Sequence, residues 1–128
     1  LVRKQILECA SGKNVVFENI SGYEQVHLTH VSDAANATVA AILLEKHRYS
    51  VYNVGGPPEN YLSLRDFHHL LKTLFPTCGN VTWAAKGART AGPLCIKRMN
   101  SDLGYAPKVN VLTGLKADFE LSIGKGFQ

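Results

Sequence analysis

The run Tyr52-Asn53-Val54-Gly55-Gly56-Pro57-Pro58 constrains this chain more than any other stretch. Aromatic and β-branched residues between Ser50 and Val54 favour an extended strand. Two glycines and two prolines follow, and they remove both helix propensity and backbone donors. The strand must therefore leave into a loop. Further on, Leu103-Gly104-Tyr105-Ala106-Pro107 reads as a helix stopped at Gly104 and fenced by Pro107.

Between these landmarks the apolar pattern alternates between helix and strand periods. Leu1 to Ala10 carries a helical stripe that ends at Ser11-Gly12. Val15 to Glu18, Gln25 to Val31 and Asn80 to Trp83 read as short strands. Ser32 and Asp33 are cap candidates for an Ala-rich helix over Ala34 to Lys46, with a basic last turn of Lys46, His47 and Arg48. Ser63-Leu64-Arg65-Asp66 is a capping box for a helix over Leu64 to Leu74, which Pro76 ends. Ile96 to Leu103 and Val111 to Ile123 complete the helices, the last expected to bury Leu112, Leu115, Phe119 and Ile123. The expectation is one small α/β unit over residues 1–123, with 124–128 a frayed tail.

Charge narrows the partners. Fourteen basic against ten acidic side chains give +4, and the basic residues are scattered rather than clustered, so a nucleic-acid interface is not expected. No apolar stretch is long enough for a spanning helix, and no membrane association is expected. Cys9, Cys78 and Cys95 form neither a CxxC spacing nor an even framework. Free thiols in a reducing, cytoplasmic compartment are the simplest reading.

No complete catalytic constellation is visible. Gly55-Gly56 follows a strand, but prolines rather than a helix come next, so the pair is either a plain turn or the wall of a substrate cleft. His27 and His30 fall on opposite faces of a strand, and His68 and His69 diverge by about 100° on a helix, so no metal set is expected. His30 reads as a structural histidine beside the helix cap. Lys86, Arg89, Lys97 and Arg98 lie in or near a Gly/Ala-rich loop. They form either a solvated face or a clamp for a phosphate or uronate.

In order and spacing, these segments resemble the C-terminal part of the extended short-chain dehydrogenase/reductase family, the NAD-dependent epimerases and dehydratases. The residues that carry the resemblance are Val26-His27-Leu28-Thr29-His30-Val31-Ser32-Asp33, the Tyr52 to Gly56 exit, the Leu64 to Leu74 helix, Leu103 to Pro107, and Gly114-Leu115. The resemblance implies an extended short-chain dehydrogenase Rossmann-like fold, here its small mixed α/β substrate domain. Helix 32–47 would pack on an N-terminal Rossmann domain outside this sequence. The parent enzyme would use NAD or NADP on a sugar, nucleotide sugar, acidic sugar or similar hydroxyl or keto substrate, and homo-oligomers are possible. Gly55, Gly56, Arg89 and Arg98 would contact substrate, while His30, Asp33, Asn53, Gly104 and Pro107 would be structural.

Departures from the pattern bear on function. Val26 stands where the family commonly has a diphosphate-binding arginine, His27 replaces the acidic residue after it, and Cys95 stands where the closing helix usually has Asp. No glycine-rich NAD fingerprint is present, and no tyrosine has a lysine four residues on. Hydride transfer by these residues alone is not expected, and no catalytic residue is assigned. The uncapped start of the first helix suggests a chain cut from something longer. The competing reading is a stand-alone binding or structural domain that kept the fold without the cofactor half.

Overall fold

A computed structural model describes residues 2–88 and 91–124. In chain order the elements are α1 (Val2–Ala10), β1 (Val15–Phe17), β2 (Gln25–His27), α2 (Val31–Leu43), a 3-10 turn (Pro58–Asn60), β3 (Tyr61–Ser63), α3 (Leu64–Leu74), β4 (Val81–Trp83), α4 (Lys97–Leu103) and α5 (Val111–Gly124). Two two-stranded sheets form, β1 with β4 and β2 with β3. Contacts divide the chain into two compact units, residues 1–26 with 62–91 and residues 27–61 with 92–128. No helix among the described residues is long and apolar enough to cross a membrane.

In the first unit, α3 forms where the sequence places it. Ser63 caps it, its hydroxyl accepting from the Asp66 N–H at 3.1 Å and donating to the Asp66 carboxylate at 2.7 Å. One face of the helix is buried at Leu64, Phe67, His68 and Leu71 and continues to Phe75, while His69 points outward. This face packs against α1. There Gln5 is buried and its side-chain amide donates to the Leu64 carbonyl at 3.3 Å. β1 pairs in parallel with β4, Val15 opposite Val81 and Phe17 opposite Trp83. The last pair also stacks, with ring centroids 4.9 Å apart. Gly22 lies against the Trp83 indole so closely that a Cβ there would fall 2.8 Å from the ring.

The cysteine expectation fails at two of three positions. Cys9 on α1 and Cys78 after α3 are joined by a disulfide, and only Cys95 is free. They are 69 residues apart in sequence, so no local spacing signals the pair.

His68 introduces a pH dependence. Burial holds its imidazole below the ordinary 6.5, repulsion from Lys72 and His69 acts the same way, and the nearby Gly79 backbone pulls weakly in the other direction. The unfolded chain takes up this proton first, so the contribution to stability is complete above 6.5 and is lost as pH falls below it. The urea midpoint should drop between about pH 7.5 and about pH 5, and His68→Gln should flatten that drop. An equal drop in both proteins would assign the effect to other groups.

In the second unit, α2 packs on α4. Ala37 is wholly buried and lets the helices approach, with Met99 and Tyr105 completing the core and Tyr52, Val54, Ile96 and Leu103 around it. α2 begins three residues earlier than the sequence suggests. Its cap is His30, whose Nδ1 accepts from the Ser32 N–H at 3.2 Å. Asp33 is therefore inside the first turn and buried. Its carboxylate accepts from the Lys108 and Val109 N–H groups at 3.0–3.1 Å. The helix ends at Leu43, so Lys46, His47 and Arg48 lie beyond it rather than in its last turn.

α4 ends as expected at Gly104, which takes a left-handed conformation with φ 64°. Pro107 then leads into the 108–111 segment. Residues 50–54 belong to no strand among the described residues. A strand is made by its neighbours, and this segment has none here. In α5, Val111 is buried while Leu112 and Leu115 are only half-buried. The side chains of Phe119 and Ile123 lie outside the described residues.

Candidate substrate cavity

The second unit contains an open cavity of about 280 Å³ lined by Val51, Asn53, Cys95 and Arg98. Residues 50–54 supply Val51 and Asn53, and the start of α4 supplies Arg98. The Asn53 amide donates to the Cys95 carbonyl at 3.4 Å, tying one wall to the other. The Arg98 guanidinium carbon lies 4.3 Å from the centroid of the Tyr49 ring. Tyr49 in turn packs edge-on against Tyr52, whose hydroxyl donates to the Asp102 carboxylate at 3.0 Å. A guanidinium stacked on an aromatic ring keeps its charge and its in-plane donors while losing much of its conformational freedom. The cavity thus offers a held cation, an amide, a free thiol and an apolar wall. This arrangement can bind an anionic, hydroxyl-bearing molecule; it contains no acid and base pair for proton transfer.

Of the residues singled out from the sequence, Arg98 and Asn53 line the cavity, and Arg89 lies outside the described residues. Gly55 and Gly56 are buried and absent from the lining. Protein atoms fill the space a Cβ would take at each. At Gly55 these are the His27 ring at 3.0 Å and Ile96 at 3.2 Å; at Gly56 they are the Leu28 carbonyl oxygen and the Asn60 amide. Tyr105 donates its hydroxyl to the Gly55 carbonyl at 2.9 Å, and burial together with the Asp33 carboxylate pushes this phenol above its ordinary 10.0.

His27 is the residue that sequence reasoning missed. Its Nδ1 accepts from the Leu94 N–H at 3.0 Å, so Nε2 carries the hydrogen and donates to the Gly56 carbonyl at 3.0 Å. One ring thus fixes the glycine exit and the segment leading to Cys95. Its replacement of an acidic residue in the family pattern was the available signal.

Comparison with solved structures gives the architecture a context. UDP-glucuronic acid 4-epimerase from Bacillus cereus, in complex with UDP-glucuronic acid and NAD, matches with a TM-score of 0.77 at 22% identity, over 93% of this chain and 38% of that one. MoeE5 in complex with UDP-glucuronic acid and NAD matches at 0.74 and 20% identity, over 97% and 41%. ADP-L-glycero-D-manno-heptose-6-epimerase from Helicobacter pylori matches at 0.68 and 19% identity, over 92% and 37%. The fold is that of the extended short-chain dehydrogenases. It corresponds to a small mixed α/β part of them, and the chain spans about two fifths of the length of these structures. No protein-family model and no characterised protein matches the sequence itself.

UDP-glucuronic acid 4-epimerase and MoeE5 hold NAD, which sets a requirement on the residues here. Those residues do not meet it. The 128 residues contain no glycine-rich strand-to-helix turn. The one glycine pair, Gly55-Gly56, has its open faces filled by His27, Ile96, Leu28 and Asn60.

Proposed function

We propose that this chain is the substrate-facing part of an NAD(P)-dependent epimerase, dehydratase or reductase acting on a nucleotide sugar or an acidic sugar. The observation that carries the reading is Arg98, held on Tyr49 and lining a cavity that also presents Asn53. A guanidinium in that setting suits a phosphate or a uronate carboxylate. The chain's part is to hold substrate, and no step of hydride or proton transfer is assigned to its residues.

The surface of α2 supports the same reading. Val31, Val39, Ile42 and Leu43 are all more than half exposed, and so is Val51 in the 50–54 segment. Apolar side chains on a helix and on an unpaired segment are what a Rossmann sheet and its helices would cover. The coding sequence upstream of Leu1 is the direct check. Absence of a glycine-rich βαβ unit within roughly 200 residues would overturn the proposal.

In the protein carrying that upstream part, Arg98→Ala should weaken binding of UDP-glucuronic acid by roughly ten- to hundredfold, the worth of one charge-assisted hydrogen bond. Turnover at saturation should change less than affinity. Arg89→Ala should have the smaller effect, because Arg98 is held on a helix against the Tyr49 ring. Calorimetric titration reads both affinities, and equal values for wild type and Arg98→Ala would return Arg98 to the solvated surface.

A further inference from the structure

The α1–α3 face gathers three side chains that substrate binding does not use. The sulfurs of Cys9 and Cys78 and a ring nitrogen of His68 all lie within 4.8 Å of one another. All three residues are buried, with His68 at 7% exposure. Neither His68 ring nitrogen makes a well-aligned hydrogen bond, the Gly79 backbone being near without completing one, and the side-chain oxygen of Gln5, one turn before Cys9 on α1, has no partner either. A buried imidazole with neither nitrogen well paired is costly, and folded proteins retain such groups where an ion, a water or a chemical role accounts for them. Here the ring faces two sulfurs. Two thiolates and an imidazole are the donor set of a borderline-soft divalent cation. Zinc bonds of about 2.0–2.3 Å set neighbouring tetrahedral ligands about 3.5–3.8 Å apart; the ring nitrogen lies within 4.8 Å of each sulfur, and the two sulfurs have to part to that separation once their bond opens.

We propose that the reduced chain binds one zinc-like divalent cation through Cys9, Cys78 and His68, and that the Cys9–Cys78 disulfide is the oxidised, metal-free state of the same site. Opening the disulfide takes two electrons and two protons from a dithiol, which leaves as its own disulfide. Binding the cation then releases the two thiol protons to solvent and leaves two thiolates and a neutral imidazole as ligands. The fourth tetrahedral position is left for water or another oxygen ligand. This site is independent of the role given to Arg98.

The test uses the 128-residue chain, reduced with dithiothreitol, freed of the reductant and kept anaerobic. Titration with Co²⁺ should give one ion per chain, with thiolate-to-cobalt charge-transfer absorption that Zn²⁺ abolishes. The oxidised chain should show none. His68→Gln should bind Co²⁺ at least tenfold more weakly. Should the variant fail to fold, the unaltered reduced chain still decides the matter: Zn²⁺ should protect Cys9 and Cys78 from alkylation while Cys95 reacts, as read by peptide mass spectrometry. Absence of the charge-transfer band, equal affinity in folded His68→Gln, or alkylation of Cys9 and Cys78 unaffected by Zn²⁺ would each overturn the proposal.

Discussion

Gly56→Ala should destabilise the chain by about 3 kcal/mol, the upper end for overpacking a closed site. The cause is space rather than backbone freedom. Gly56 is not among the glycines with positive φ, which are Gly12, Gly87 and Gly104, so alanine can adopt its dihedrals. Its Cβ, however, would be driven into the Leu28 carbonyl oxygen and would stand 2.7 Å from the Asn60 side-chain nitrogen. Neither neighbour can yield cheaply. The Leu28 carbonyl accepts from that same nitrogen, and the Leu28 N–H donates to the Asn60 carbonyl at 3.1 Å. Gly92→Ala is the control, since nothing lies within 4 Å of its Cβ position and its φ is not positive. That change should stay within about 0.5 kcal/mol. Gly104→Ala, with open space but φ 64°, should lie between them at about 1–2 kcal/mol. Urea midpoints at unchanged slope measure all three. A Gly56→Ala midpoint equal to that of Gly92→Ala would mean that the Leu28 segment moves aside.

Gly56 also shows where sequence reading reaches its limit. The glycine pair marks a turn from composition alone, but the reason for Gly56 lies in a carbonyl 28 residues earlier, which no local pattern reveals. Elements fixed within one turn were legible. α3 runs over the expected Leu64–Leu74 with Ser63 and Asp66 as its cap, and α4 ends at a left-handed Gly104, because both depend on residues three or four apart. Elements that need a partner were not. Residues 50–54 have strand composition and no ladder, and Cys9 meets Cys78 only after α1 docks on α3. The α2 cap was missed for a chemical reason: an imidazole Nδ1 does what Ser, Thr, Asp or Asn usually does, and that displaced Asp33 from cap to buried acceptor. In the cavity, Arg98 was named from the sequence as a substrate contact and Asn53 only as a structural residue. The anchoring of Arg98 by Tyr49 was not, since it requires the 49–52 segment to pack against α4.

Asn60→Asp should cost at least as much as Gly56→Ala, about 3–5 kcal/mol near neutral pH, although the two side chains have the same shape. Asn60 is 1% exposed and uses three of its four hydrogen-bonding positions. Its Nδ2 donates to the Leu28 and Val109 carbonyls, each at 3.0 Å, and its Oδ1 accepts from the Val111 N–H at 2.9 Å. With Asp33 accepting from the N–H groups of Lys108 and Val109, two buried side chains pair four backbone polar groups between Lys108 and Val111. Aspartate keeps the acceptor for Val111 and turns both donated bonds into a carboxylate oxygen facing two carbonyls. Each buried carbonyl then loses its donor, and the new charge has no counter-ion among these partners. The folded state will favour the protonated acid, which restores one donor. Relative to wild type at the same pH, the deficit should therefore be fully present at neutrality and should shrink as pH falls toward the ordinary carboxylate value of about 4. Equilibrium urea unfolding of both proteins across that range reads the difference. A variant as stable as wild type at neutral pH would show that the Leu28 and Val109 carbonyls find other donors, and that Asn60 does not hold the segment leading into α5.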